Sequence, residues 1–138
     1  MELFRDIIES SMDLISTAYP DGRLMYLNRA GFRLVGWSER EDISDRMIGD
    51  LHPAWAFEII SRQGIPKTLI DGGWRGETAL LHRDGHEIPV SQIIIPHRGN
   101  DGQIIYLSTI MRDITQRKQA ENAVNQSKNQ LQALIDVS

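Results

Sequence analysis

The sequence predicts an α+β domain, in which two strands come first, several short helices follow, and three further strands complete one antiparallel sheet. The main evidence lies in residues 74–115, where three β-rich runs are separated by turn signals at residues 84–85 and 99–102. These signals are an Asp-Gly pair and a Gly-Asn-Asp-Gly cluster, which supply the positive-φ positions that hairpins need. The last run, residues 104–110, is apolar, β-branched and aromatic, as expected of a central strand.

The composition indicates one globular domain with an extension and excludes several classes of function. The 138 residues are 41% hydrophobic and 25% charged, which are ordinary globular values. A net charge of −4 argues against nucleic-acid binding, and no apolar run approaches the ~18 residues of a membrane span. Cysteine is absent, which excludes disulfides, thiolate metal sites and cofactors attached through sulfur. With no signal peptide, we expect a cytoplasmic chain without membrane contact, although a longer parent protein can be anchored elsewhere.

The N-terminal segment, residues 1–11, is predicted to form an amphipathic helix. Leu3, Phe4, Ile7 and Ile8 follow helical spacing and form one apolar stripe. Because such a stripe is costly to leave in water, we expect it to be covered by a partner surface.

A hairpin and a capped helix are predicted next. Residues 13–18 and 24–27 have the pattern of strands, and the Tyr-Pro-Asp-Gly sequence at residues 19–22 is typical of the turn between them. Asn28 has a side chain suited to cap a helix, and Gly36 is suited to end it.

The middle of the chain predicts short helices with irregular connections. A helical turn is expected at residues 48–51, followed by a helix at residues 54–63 with Trp55, Ile59 and Ile60 facing inward. Because residues 64–73 contain a proline and three glycines, we expect an irregular passage into the main sheet there.

Residues 116–138 are predicted to form a linker helix with a coiled-coil seam. Small and apolar residues recur at spacings of 4, 3, 4 and 3, at Ala120, Val124, Ser127, Leu131 and Leu134. One Ser and one Ala make this a weak core. The alternative is therefore a solvated amphipathic helix that folds back on its own domain.

No arrangement of residues predicts catalysis. The chain has no dinucleotide-binding glycine motif, phosphate loop, zinc-protease motif or nucleophile elbow, and we do not expect an enzyme. Of the four histidines, His82, His86 and His97 flank predicted hairpin turns, and His52 precedes a proline at a loop–helix junction.

Short motifs in a fixed order along residues 4–118 together resemble the PAS domain, a sensory module. They are DLI (13–15), DG (21–22), NRAGF (28–32), VGW (35–37), HP (52–53), GE (76–77), RDG (83–85), Pro96, DG (101–102) and DIT (113–115). The resemblance implies a PAS-like five-stranded antiparallel sheet with short helices on one face, formed by residues 12–115.

The resemblance also implies a sensory function. We expect the domain to detect a small-molecule, redox or cofactor-borne signal and to relay it through the C-terminal helix to an effector, such as a histidine kinase or a cyclic-dinucleotide enzyme. The alternative is a ligand-free module for dimerisation and protein interaction. Residues 131–138 also resemble residues 4–11, at an offset of 131 − 4 = 127. Either two amphipathic segments are alike by chance, or a second similar domain of a tandem sensor begins there.

The resemblance leaves the cofactor open among flavin, haem, another small molecule and none. Haem-binding relatives take their ligand from the long helix, and residues 54–63 contain no histidine; His52 and His82 are the remaining candidates. Light-sensing relatives attach flavin through a cysteine, which this chain lacks. Some redox-sensing relatives bind flavin noncovalently and carry a Trp-x-Gly like that at residues 74–76.

Strand alternation predicts which side chains would line a cavity beneath the helices. By resemblance, these are Phe32, Trp55, Leu80, Val90, Gln92, Ile94, Leu107, Thr109 and Met111. Gln92 and Thr109 are polar within this apolar set and need hydrogen-bond partners. The possible partners are a ligand, a water molecule, or the other of these two side chains.

The opposite face of the sheet is apolar enough to need a cover. We expect a homodimer that buries this face together with the N-terminal stripe, using Phe4, Ile7, Ile8, Ile93, Ile95, Tyr106 and Ile110.

A short joint between the last strand and the C-terminal helix is predicted to carry the signal. The strand is expected to end at Met111 or Arg112 and the helix to start by Gln116. Asp113 and Thr115 can bond to the free amides of the first helical turn, so they are the candidate relay residues.

Overall fold

The computed structural model of the protein describes residues 2–137; Met1 and Ser138, the outermost residues of the predicted first and last segments, lie outside the described part. The helices are α1 (Glu2–Ser10), α2 (Arg29–Val35), α3 (Ala54–Ile59), α4 (Ile65–Asp71) and α5 (Thr115–Val137). The strands are β1 (Leu14–Ala18), β2 (Leu24–Leu27), β3 (Trp74–Leu81), β4 (Glu87–Arg98) and β5 (Ile104–Asp113). A 3₁₀ turn spans Ile48–Leu51, and a π turn at Ile60–Gly64 joins α3 to α4.

The five strands form one antiparallel sheet in the order β2-β1-β5-β4-β3. The last strand in sequence, β5, is the central one, because it pairs with both β1 and β4. Each hairpin turn contains a glycine at positive φ, namely Gly22 (95°), Gly85 (98°) and Gly102 (81°). The predicted α+β fold, with one helix before the sheet and one after it, is confirmed.

Asn28 holds the start of the domain together. Its Oδ1 accepts hydrogen bonds from the Gly31 amide at 3.0 Å, which caps α2, and from the Ile15 amide at 2.9 Å. Its Nδ2 donates to the carbonyls of Ile8 and Asp13, each at 2.9 Å. The predicted cap therefore also fastens the end of α1 to the first strand, and the side chain is fully buried in doing so.

The helix after residue 54 is longer than expected. It runs through α3, the π turn and α4 to Asp71, and residues 54–71 are called the long helix below. The irregular passage expected over residues 64–73 is therefore wrong as far as Asp71. Pro66 lies in the first turn of α4, directly after the π turn, and it does not end the helix. Gly64 allows close packing here, since a Cβ there would lie 3.0 Å from the Trp74 ring and the ring would have to shift.

The core lies between the inner face of the sheet and the helices, in two clusters. The larger cluster joins β1–β5 to α2 and the 3₁₀ turn, and its fully buried members include Leu14, Val35, Leu80 and Val90. The smaller cluster lies under the long helix and consists of Ile60, Ile94 and Leu107. The candidate site lies at the inner face of the sheet.

Candidate functional site

A small closed cavity lies between the inner face of β1, β4 and β5 and the helical segments above it. Its volume of about 20 Å³ is enough for one water molecule. The walls are mostly apolar and consist of Ser16, Ala18, Ile48, Leu51, Ile60, Ile65, Gln92, Ile94, Leu107, Ser108, Thr109 and Met111. The π turn contributes to its roof through Ile60, and α4 contributes Ile65.

Polar side chains form a chain of hydrogen bonds along the inner face from β3 to β5. Thr78 Oγ1 donates to Gln92 Oε1 at 2.7 Å, and Gln92 Nε2 donates to Thr109 Oγ1 at 3.2 Å. Thr109 Oγ1 in turn donates to the Ile93 carbonyl at 2.9 Å. We call these three side chains the polar chain. Gln92 is buried, and both the oxygen and the nitrogen of its amide have hydrogen-bond partners, as buried polar groups require.

The structure brings together five of the nine predicted lining residues. Gln92, Ile94, Leu107, Thr109 and Met111 contribute to the cavity walls. The two polar members point inward, and they bond to each other, one of the alternatives that the sequence left open.

The other four lie outside the cavity. Phe32, Leu80 and Val90 are buried in the adjoining larger core cluster. Trp55 is a correction: the residue is 49% exposed, and its indole N–H donates to Glu87 Oε1 at 2.8 Å on the surface. The next residue of α3, Ala56, is buried and begins the inward face of the long helix.

Sequence reasoning missed the walls contributed by β1, by the 3₁₀ turn and by α4, whereas the inward direction predicted for Ile60 agrees with its place in the roof. Ser16 and Ala18 alternate with less buried neighbours along β1, so the period-two pattern contained a signal for them. Ile48, Leu51 and Ile65 reach the cavity by tertiary packing, for which the local sequence gives no sign.

His52, one of the candidate haem ligands, is 4% exposed and is not part of the cavity wall. Its Nδ1 lies 2.7 Å from the Ala79 carbonyl, to which it donates, and its buried Nε2 has no hydrogen-bond partner among the described residues. Burial lowers the pKa of His52 from 6.5 to about 4, because the charged ring would lose its hydration. His82 lies at the tip of the β3–β4 hairpin, also away from the cavity. Neither a haem nor a flavin fits a volume of about 20 Å³ unless the helices above it move apart.

The joint between β5 and α5 is a single residue, Ile114. The strand continues to Asp113 and the helix begins at Thr115, so the expected strand end at Met111 or Arg112 is one or two residues too early. Asp113 Oδ1 accepts hydrogen bonds from the amide and the hydroxyl of Thr115, the first of them at 2.8 Å. Ile114 is buried and its amide donates to the Pro89 carbonyl on β4 at 3.0 Å.

A second anchor for α5 was not visible in the sequence. Arg117 and Lys118 both reach Glu77 on β3, at 2.6 and 2.7 Å. Their hydrogen bonds lower the pKa of the Glu77 carboxyl below its ordinary value. Because these residues are separated by about forty positions, only the fold brings them together. Beyond this anchor α5 has no buried residues, so the alternative of a helix folded back on its domain is wrong.

The surfaces predicted for dimerisation remain largely uncovered within one chain. Leu3, Phe4 and Ile7 of α1 are exposed, while Ile8 is half-buried. On the outer face of the sheet Ile95 is exposed, and Ile93, Tyr106 and Ile110 are half-buried. α1 is fastened beside α2 through Asn28 and through a hydrogen bond from Tyr26 to Glu9, rather than across the outer face.

The sheet order, the helices on its inner face and the helix that continues from β5 define a small α+β module of the sensory type. Residues 12–116 match the PAS domain family, and the chain belongs to that family. None of the described helices is long and apolar enough to cross a membrane.

Solved structures agree with this family. The PAS domain of a protein from Colwellia psychrerythraea is 26% identical with a TM-score of 0.76, over 83% of this chain and 97% of that one. A sensory box histidine kinase/response regulator from Burkholderia thailandensis is 17% identical with a TM-score of 0.72, over 94% and 98%. The N-terminal domain of a diguanylate cyclase with a PAS/PAC sensor from Marinobacter aquaeolei is 17% identical with a TM-score of 0.65, over 77% and 98%. No curated protein matches the chain significantly.

Proposed function

We propose that this PAS domain detects a small-molecule, redox or cofactor-borne signal at its cavity and relays it through α5 to an effector. The observation that carries the proposal is the position of the polar chain. Gln92 pairs in register with Met111, and β5 ends two residues later at Asp113. The cavity wall and the helix joint therefore belong to the same strand, with no flexible loop between them.

The bond between Gln92 and Thr109 is the place where a signal would act. At 3.2 Å it is the longest of the hydrogen bonds in the polar chain. A ligand group that accepts from the Gln92 amide would take this bond over and release Thr109 on β5. Because the walls are otherwise mostly apolar, the ligand class that fits is a small, mainly apolar molecule with one hydrogen-bonding group. A flavin or a haem would in addition require the long helix to move.

The route from the cavity to α5 runs through three fixed contacts. The Ile114 amide is bonded to Pro89 on β4, the Thr115 amide to Asp113, and Arg117 to Glu77 on β3. A shift of β5 against β4 would change the first contact while the third held the helix, so α5 would tilt. A histidine kinase or a cyclic-dinucleotide enzyme is the proposed effector, since the structural relatives include a sensory box histidine kinase and a diguanylate cyclase.

A second candidate function is a ligand-free dimerisation and interaction module in a homodimer. The observation that favours it is the contrast between a cavity of about 20 Å³ and the exposed apolar residues of α1 and the sheet. In this case, assembly rather than ligand binding would set the geometry of α5.

Two measurements on residues 1–138 separate these functions. Native mass spectrometry with an absorption spectrum detects a small molecule that copurifies, which would support the sensory function. The second measurement uses a fusion to a kinase output, in which Gln92→Leu should abolish the response to the stimulus. The matched variant Ser91→Ala should keep the response, because Ser91 is on the same strand but points away from the cavity. A full response from a folded Gln92→Leu protein would contradict a relay through the polar chain.

A further inference from the structure

The tip of the β3–β4 hairpin brings two imidazoles and one carboxylate together, well away from the cavity. One ligand atom from each of His82, Asp84 and His86 lies within 4.8 Å of the other two. Asp84 Oδ1 is 3.1 Å from His82 Nδ1 and 2.5 Å from His86 Nδ1. The two rings stack with centroids 4.6 Å apart and planes inclined by 21°, so both present Nδ1 to the same carboxylate oxygen.

The backbone fixes this arrangement in advance. The His82 amide donates to the His86 carbonyl at 2.9 Å, and the Gly85 amide donates to the His82 carbonyl at 2.9 Å. The His86 amide donates to Asp84 Oδ1 at 2.9 Å. The two histidines therefore face each other across the turn, and Gly85 provides the positive φ of 98° that closes it.

One separation in this cluster is close to that between adjacent ligands of a tetrahedral ion. With bonds of ~2.0–2.1 Å, adjacent ligands of a tetrahedral zinc ion are about 3.3 Å apart. The separation of 3.1 Å between His82 Nδ1 and Asp84 Oδ1 is close to this, and the 2.5 Å separation from His86 would lengthen by a small rotation of an exposed side chain. His82 Nδ1 accepts a hydrogen bond from the Asp84 amide at 3.1 Å, and an ion bound at this nitrogen would replace that bond.

We propose that His82, Asp84 and His86 form a binding site for a divalent transition-metal ion of the zinc type. Both imidazoles would bind through Nδ1 as neutral rings with the proton on Nε2, and Asp84 would bind through Oδ1. Water occupies the fourth position, because the tip is open to solvent. Two nitrogens and one carboxylate oxygen favour zinc, copper or nickel, whereas magnesium and calcium prefer oxygen ligands.

The site is independent of the cavity function, and its effect would be to clamp the hairpin tip. The tip already rests on the end of α2, where the Arg83 amide donates to the Val35 carbonyl at 2.8 Å and the Arg83 guanidinium lies 2.5 Å from Glu41. The His82 ring packs so closely on Gly36 that a Cβ there would lie 2.5 Å from it. A metal ion would join His86 to this packed group and hold the start of β4 against β3.

The test is a calorimetric titration of untagged, metal-stripped residues 1–138 with Zn²⁺, and with Mg²⁺ as the comparison ion. We expect one Zn²⁺ per chain and no binding of Mg²⁺. Since losing even an outer partner of a metal ligand costs ~10–100-fold in affinity, His86→Gln should weaken Zn²⁺ binding by at least about tenfold. Asp84→Asn should do the same while keeping the acceptor oxygen of the turn. His97→Gln, a histidine of the other hairpin, should leave the affinity unchanged.

A second readout assigns the ligand atoms. On addition of Zn²⁺, the ¹⁵N resonances of Nδ1 in His82 and His86 should shift, and those of His52 and His97 should not. His86 is exposed, so its substitution leaves the packing intact, and circular dichroism checks the fold. The proposal is overturned if Zn²⁺ does not bind, if His86→Gln binds it as tightly as the unaltered protein, or if His97→Gln weakens it equally.

Discussion

The two faces of the sheet differ in how completely one chain buries their side chains. On the inner face Gln92, Ile94 and Met111 are buried, and the polar side chains among them bond to one another. On the outer face Ile95 is 39% exposed, and Ile93, Tyr106 and Ile110 are half-buried. The same strands therefore carry a closed interior on one side and an apolar surface on the other.

This difference indicates which face can still gain free energy by burying apolar surface. A cavity of about 20 Å³ leaves little apolar area for a ligand to bury unless the helices move. The exposed side chains of α1 and the outer face can still lose water in association, at ~1.5–3 kcal/mol for each one fully buried, as an upper figure. Ligand binding on the inner side must therefore reorganise existing contacts, whereas assembly on the outer side only adds contacts.

The largest expected effect compares two residues of β5. Met111 is fully buried at the cavity wall, so Met111→Ala should cost ~2–5 kcal/mol of the free energy of unfolding. Ile105 is half exposed, and Ile105→Ala should cost less than about 1 kcal/mol. Urea denaturation of both variants measures the difference. Equal losses would show that the buried cavity wall contributes no more to stability than an exposed position of the same strand.

The next effect depends on pH and concerns the buried imidazole of His52. Its pKa is about 4 in the folded protein and 6.5 ordinarily, so between these values only the unfolded chain binds the proton. Its contribution to stability is complete above pH 6.5 and falls as the pH drops, by ~3 kcal/mol in total near pH 4.

Urea denaturation between pH 7.5 and 5 measures this loss. His52→Gln should have a flatter dependence of stability on pH, whereas His97→Gln, on the outer side, should keep that of the unaltered protein. The assignment to His52 fails if the two variants have the same dependence.

A smaller effect concerns assembly through the N-terminal stripe. We expect Ile7→Asp to weaken a homodimer by ~2 kcal/mol, because a charge would replace a side chain that association buries. The matched variant Ile70→Asp changes another exposed isoleucine, on α4, and should have no effect. Sedimentation at several concentrations gives the dissociation constants. A monomeric unaltered protein at high concentration would contradict the proposed dimer.

The smallest effect on stability is expected at the helix joint. Asp113→Ala removes a cap and should cost only ~1 kcal/mol, while uncoupling α5 from the cavity in a kinase fusion. Asp101→Ala removes a similar bond to a backbone amide, at the other end of β5, and should leave the stimulus response intact. If Asp113→Ala retains the full response, the joint is only a cap.

The sequence predicts well those features that depend on neighbouring residues. Hairpin turns require a glycine at positive φ, and strand alternation assigns a face, so the fold and the inward direction of Gln92 and Thr109 follow from local patterns. Residue types could not reveal the contact of Arg117 with Glu77 or the cavity wall from Ile65 of α4, because these depend on packing between distant segments.

The errors around the long helix have a definite cause. By residue type Pro66 and Gly64 predict a helix break, yet one occupies a tolerated position and the other allows close packing on Trp74. The apolar ring of Trp55 predicts an inward side chain, but its polar N–H binds Glu87 at the surface.

The π turn at Ile60–Gly64 gives the long helix a tolerance to changes in chain length. Its hydrogen bond from the Ile65 amide to the Ile60 carbonyl spans five residues, one more than an α-helical turn. Loss of one exposed residue here, such as Arg62 or Gln63, would convert it to an α-turn without rotating α3 relative to α4. Elsewhere in the helix, the same loss would turn everything beyond it by about 100°. This chain can therefore lose one residue above the cavity while the packing of both helices is kept.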